Sequence, residues 1–433
     1  MKKLIFAWIC LLLTIPCRSD TFTHRKTGEV LHGYATQIKK GNKTLIRVGD
    51  KKKPHYLNLV DYDIEWNHLG RRNQVIVLPI KNEIELECET EAFIKALDEA
   101  SNQGPILILI EIDTPGGRVD LMQQICTAIT KANNCPIVAF VSGDKWGGAY
   151  SAGASIALAC DYIYMSHNTA IGAATTILAS PSDVNDIKSV YGETAGEKFM
   201  SASRAYIAAI AEQNNRPSLL AQAMVDKDIE VLEVIEKDKT VFIAPENLKV
   251  GQPVRRIWSK RGSLLTLTAT EAVKCGIADK VVDSLKGLIS DLDLLNARFI
   301  HNDDVIKARR KFELANQKLE KTLNDIDLYK KKIDTLSEHA YFLHGEYMKL
   351  MTEWGRLWDR SHGKDTDRLL KKIRRERRLA LYDLSNALKN IIPKYSAVIA
   401  LKKSHPDLQV DIAALNEEIN SAKAQLEKAR AIY

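Results

Sequence analysis

Four short, β-prone apolar runs dominate the middle of the chain: Val75 to Leu78, Ile106 to Ile110, Ile137 to Val141 and Tyr162 to Met165. A strand with one wet face alternates apolar and polar residues, so unbroken apolar runs of this length belong to strands covered on both faces. The gaps between them carry helical spacing, with Phe93, Ile94, Leu97 and Ala100 on one face in the first gap and Val119, Met122, Cys126 and Ile129 in the second. Strand and helix in alternation predict an α/β domain with a parallel sheet. Thr268 and Glu271 form a capping box, and Gly276 supplies a helix stop, so this unit is expected to close near residue 285.

The flanks read differently. Residues 20 to 72 alternate in short pieces, as in Thr44 to Val48 and Tyr56 to Val60, which suits a small antiparallel β module; Arg71-Arg72-Asn73 reads as a linker. Beyond about residue 290 Gly and Pro become scarce, and Lys, Glu, Leu, Arg and Ala recur at helical spacing. Long helices folded back on one another, coiled-coil-like, are expected there, with breaks near Ser361 to Lys364, Pro393 and Pro406. The resulting division is 1–19 leader, 20–72 β module, 73–287 α/β domain and 288–433 helical region.

Lys2 and Lys3 precede the twelve-residue stretch Leu4 to Ile15, and Pro16-Cys17-Arg18-Ser19 follows. This has the form of a signal peptide, and no later stretch approaches the roughly 20 apolar residues of a membrane span. Export to the periplasm or to a membrane surface is the expectation. Cys17 fits a lipidation site poorly because Pro16 stands where a small residue belongs. A net charge of +7 permits contact with an acidic membrane surface, yet no motif for nucleic acid is present. The run Lys371 to Arg378 could touch anionic lipid, although such a run is more often just a solvated helix face. The cysteines outside the leader, Cys88, Cys126, Cys135, Cys160 and Cys275, show no CxxC spacing and read as small core residues, with room for one disulfide. No metal or other cofactor is called for.

Chemistry is concentrated in two places. Asp113-Thr-Pro-Gly-Gly117 closes the second apolar run, and Trp146-Gly-Gly-Ala-Tyr-Ser151-Ala152-Gly153 follows the third. A serine between small residues, where strand gives way to helix, can present its hydroxyl, so Ser151 is the candidate nucleophile. The N–H groups of Gly117 and Ala152 are the candidate oxyanion donors, and Gly116 admits a substrate backbone because no Cβ stands in its way. Each feature has a plain structural alternative: close helix packing for the serine, an ordinary loop for the Pro-Gly-Gly turn. Among bases, His167 sits in a turn with no evident acidic orienter. Lys198 is preferred: Ala202, Ala205 and Ala209 share its helical face, and an amine desolvated there would be partly neutral.

With Ile112 to Arg118, Ala149 to Leu158, Thr169 to Ala173, Lys198 to Glu212 and Leu267 to Ala278 in that order, the stretch from Val75 to about Asp283 resembles the serine peptidases of the ClpP/crotonase-like fold. It is most similar to the NfeD-type membrane-associated proteases, cousins of signal peptide peptidase A. The resemblance implies a core of stacked ββα units and a Ser151–Lys198 dyad that needs no cofactor. It also implies a protein or peptide substrate, with cleavage of apolar segments of membrane or envelope proteins, and assembly into homo-oligomers. No histidine falls where the ClpP triad would place one, near Gly172 to Ala174. In place of the membrane spans and small barrel common in that family, the sequence continues into the helical region, and Ala179 to Lys188 lacks the expected glycine-rich form. Two other classes of function compete: an inactive protease-fold scaffold that offers the helical arm to envelope partners, and acyl-CoA chemistry on the same fold.

Overall fold

The computed structural model describes all residues except 1–19, 41, 48–54, 66–71, 133–134, 176, 181–182, 293, 295–296 and 358–362. The expected leader therefore lies outside the described residues. The chain divides into two compact units, Met1–Ile306 and Lys307–Tyr433.

A six-stranded parallel sheet organises the first unit. Its strands run in the order Lys280–Val282, Tyr162–Ser166, Ile137–Val141, Pro105–Ile112, Arg72–Ile80 and Arg298–His301. Each apolar run divides its side chains between two cores. Ile108, Ile110, Ala139, Val141, Ile163 and Met165 enter the larger cluster, and the alternate residues Leu107, Leu109, Val138, Phe140 and Tyr164 enter a second one on the other face. This is the period-2 geometry of a strand covered on both sides. The helices Glu87–Asn102 and Val119–Lys131 cover the first face with Phe93, Leu97, Leu121, Ile125 and Ile129. The helix Leu285–Asp291 covers the second with Leu288.

Two boundaries differ from the sequence reading. The strand Arg72–Ile80 begins inside the expected linker. Arg298–His301, assigned above to the helical region, is an edge strand: Phe299 pairs with Val75 and His301 with Val77. A four-residue strand has too little pattern of its own to be recognised, and pairing with the exposed edge of Arg72–Ile80 is what defines it.

A five-stranded antiparallel sheet, in the order His55–Leu57, Lys43–Arg47, Val30–Lys40, Asp20–His24 and Tyr62–Glu65, forms the N-terminal module around Phe22, Ile46 and Leu59. A separate sheet of three short strands, Gly148–Tyr150, Ala170–Gly172 and Thr266–Thr268, stands beyond the ends of the central strands. The capping box forms as expected: the Thr268 hydroxyl accepts from the Glu271 N–H, and Gly276 has φ +77°. Among the described residues no disulfide forms. Cys126, Cys135, Cys160 and Cys275 are buried, and burial pushes Cys126 up to about 12 and Cys275 up to about 11, which leaves them inert thiols.

The second unit consists of the long helices Gly363–Ser404 and Ile412–Ala431 and nearly all of Asp304–Leu357. Leu319, Ile326, Ile333, Leu384, Leu388, Ile391 and Leu426 build its core. The helix passes through Pro393, where a break was expected, and ends before Pro406 as expected. Pro393 lies on the exposed side, so the carbonyl it deprives of a partner can reach water, while Ile391, Tyr395 and Val398 hold the opposite side. Among the described residues no helix is long and apolar enough to cross a membrane.

Candidate active site

Ser151 stands between the strand Gly148–Tyr150 and the helix Ala152–Leu158, at φ 53° and ψ −119°. A left-handed φ on a residue with a Cβ costs about 1–3 kcal/mol, and it persists only where neighbours over-determine the backbone. They do so here. The Ser151 N–H donates to Gly172 O at 2.9 Å, and its carbonyl accepts from the Ala154 N–H at 3.0 Å. Tyr150 N–H donates to Thr114 O at 3.1 Å, and Thr114 N–H to Gly148 O at 2.9 Å. Although Ser151 occupies the N-cap position, its hydroxyl does not cap the helix and so is left uncommitted to it.

The Pro-Gly-Gly turn lies directly against this serine. A Cβ on Gly116 would stand 2.4 Å from Ser151 Cβ, 2.8 Å from its Oγ and 3.3 Å from the Ala152 nitrogen. Gly117 is equally constrained: at φ +148° a Cβ there would meet Ile84 O at 2.3 Å. The loop is fixed by Ile84, whose N–H donates to Gly116 O and whose carbonyl accepts from the Arg118 N–H, both at 2.8 Å. Ala152 is the first residue of its helix, where an N–H has no intrahelical acceptor. Neither its N–H nor that of Gly117 donates to another backbone carbonyl among the described residues. A serine hydroxyl, the uncommitted N–H of Ala152 and a glycine in contact with the serine are therefore neighbours, an arrangement that could serve attack on a carbonyl.

What keeps the serine's strand in place is a residue to which the sequence reading gave no role. The Asp113 carboxylate is fully buried and accepts from the backbone N–H groups of Lys145 at 2.5 Å, Trp146 at 3.0 Å and Gly148 at 3.2 Å. The signal was available: an acid placed directly after a strand that is buried along nearly all its length must find donors or suffer a large penalty for burial.

The expected base is placed less favourably. Lys198, on the helix Ile187–Gln213, is exposed, and so are Ala202, Ala205 and Ala209. The helix buries its Met200, Ile207, Ile210 and Ala211 side instead, since larger apolar side chains gain more from burial than alanines do. Lys198 lines an open recess with Thr194, Glu197, Ser201, Ala202 and Ala205, and Ser151 is not among its lining residues. The desolvation expected of this amine is thus absent in the single chain. Lys81 is no substitute. Burial pulls its amine down, but Asp144 at 2.9 Å and Glu111 at 3.1 Å outweigh that and hold it above the usual range, as a fixed ammonium. His167 does have an acidic neighbour, contrary to the sequence reading: its Nε2 lies 3.1 Å from Asp283 Oδ1, with both side chains largely exposed.

Residues 74–252 match the family described as NfeD1b, N-terminal domain, in keeping with the resemblance drawn from the motifs. Membrane protein NfeD1b of Bacillus subtilis is 28% identical over 235 residues, covering 54% of this chain and 45% of the relative. Membrane-bound protease PH1510 of Pyrococcus horikoshii is 29% identical over 231 residues, covering 51% of this chain and 49% of the relative. The chain thus spans about half the length of the curated relatives it matches. Among solved structures, a serine-to-alanine mutant of the 1510-N membrane-bound stomatin-specific protease aligns at TM-score 0.39 and 24% identity, over 53% of this chain and 98% of that one.

Proposed function

We propose that the stretch 73–287, with the added edge strand, is a serine endopeptidase domain of the ClpP/crotonase-like type, acting on extended apolar segments of membrane or envelope proteins. The observation that carries this reading is Ser151 itself: a non-glycine residue held at φ 53°, its hydroxyl not used as a cap, packed against Gly116 and beside the N–H of Ala152. The relative named as a membrane-bound protease supports the same reading. In the proposed reaction Ser151 Oγ bonds to the substrate carbonyl carbon while Lys198 Nζ takes its proton. The N–H groups of Gly117 and Ala152 hold the oxyanion, the C–N bond then breaks, and the proton leaves with the amine. Water releases the acyl group by the same route. Gly116 borders the substrate strand.

For this chemistry Lys198 must lose its water, because an amine in solvent is charged at neutral pH. A bound peptide or a second copy of the chain would have to cover the recess around Thr194 and Ala202, which is why we include homo-oligomer formation in the proposal. We place the protein after export, in the periplasm or at a membrane surface, in line with the leader-like first residues. The test is hydrolysis of apolar fluorogenic peptides, together with labelling by a fluorophosphonate, in the full chain. Ser151→Ala and Lys198→Ala are each expected to lower turnover by at least about a thousandfold. Cleavage that persists in both variants ends the proposal. The exposure of Lys198 favours a second reading, a protease fold without activity that presents its helical arm to partners; a well-folded wild type that neither cleaves nor labels would establish it.

A further inference from the structure

The helix Gly363–Ser404 has two unlike sides. Leu370, Leu381, Leu384, Leu388 and Ile391 are buried along one of them. On the opposite side Arg368, Lys371, Lys372, Arg375 and Arg378 are all exposed, and their spacing sets them within an arc of about 120° over about 15 Å of helix. Leu379 and Tyr382 continue the same arc and are 61% and 54% exposed. Arg377 belongs to the other side: it is buried, with its guanidinium 4.3 Å from the centre of the Tyr347 ring. From Asp365 to Tyr382 there are seven Lys and Arg residues against three Asp and Glu, a net of +4 out of the chain's +7. Two of the acids are spent within the helix, Asp367 on Lys371 at 2.7 Å and Asp365 on Arg368 at 3.8 Å.

We propose that this arc docks on the surface of an anionic phospholipid bilayer. Its cations meet the lipid phosphates, and Leu379 and Tyr382 enter the headgroup layer beside them. Cations alone would serve nucleic acid equally well. An exposed leucine and tyrosine among them, on a face turned away from the helical core, add the apolar contact that a membrane interface rewards and a phosphate backbone does not.

The full chain is to be sedimented with phosphatidylcholine vesicles made with and without phosphatidylglycerol. Binding is expected only with the acidic lipid and should weaken with salt. Lys372→Glu combined with Arg375→Glu should lower partitioning at least about tenfold, since each cation near an acidic surface contributes about fivefold. Leu379→Ser with Tyr382→Ser should lower it severalfold and leave the preference for acidic lipid intact. These side chains are exposed, so helicity should not change; if the charge reversal fails to fold, the pair Lys372→Gln and Arg375→Gln takes its place. Wild-type protein that ignores acidic vesicles, a charge variant that binds as well as wild type, or capture of duplex DNA by this arc without lipid binding would each overturn the inference.

Discussion

At the scale of residues, the site rests on places where only one size of side chain fits. Gly116 is the sharpest case, because it combines a φ of +117° with direct contact on Ser151. In Gly116→Ala the new methyl cannot coexist with Ser151 Cβ at 2.4 Å, so either the turn or the serine must move. The expected outcome is a loss of about 1–3 kcal/mol in stability, from strain and overpacking, and a larger loss of fluorophosphonate labelling at Ser151. A variant that labels at the wild-type rate would show that the turn does not define the serine's position. Asp113 acts on the same point from farther off, through the loop it holds rather than through any contact with Ser151.

At the scale of elements, the starts of the central strands are held by a small ionic corner. Asp161 accepts from the Ile137 N–H at 2.7 Å, Asp279 accepts from the Ile163 N–H at 2.6 Å, and Arg216 donates to Ile277 O, Asp161 O and Asp279. Burial pushes Asp161 up to about 6, with the Ile137 N–H and Arg216 pulling the other way. An acid whose pKa is raised by folding is held protonated more readily in the folded state than in the unfolded chain. Between about pH 4 and pH 6 the folded state therefore binds more protons, and stability falls as pH rises through that window. Asp161→Asn keeps an acceptor for Ile137 and cannot ionise. Its stability relative to wild type should rise from pH 4 to pH 6 and level off above, as measured by thermal unfolding across that range; a difference that does not vary with pH would refute the assignment.

At the scale of the whole molecule, the two units have separate cores, one around the parallel sheet and one among the long helices. Substitutions in separate cores are expected to act independently. Leu384→Ala, at a position 1% exposed in the helical core, should lower the stability of that unit by about 2–5 kcal/mol and leave Ser151 labelling unchanged. Calorimetry with labelling in parallel checks this, and loss of labelling at temperatures where the sheet unit remains folded would show that the helices support the site.

The apolar runs, the glycine turn after Ile112 and the small residues around Ser151 were legible in the sequence because each is a local demand. A strand covered on both faces has to be apolar throughout, and backbones in contact have to lack side chains. The capping box was legible for the same reason. The tertiary structure alone decided which of two faces a helix buries, and so turned Lys198 toward solvent when Met200, Ile207 and Ile210 competed with alanines for the core. It also recruited Arg298–His301 as an edge strand, carried a helix past Pro393, and gave the Asp113 carboxylate its three donors from a loop some thirty residues away. Those outcomes depend on partners distant in sequence, whose burial and hydrogen bonds exist only once the chain has folded around them.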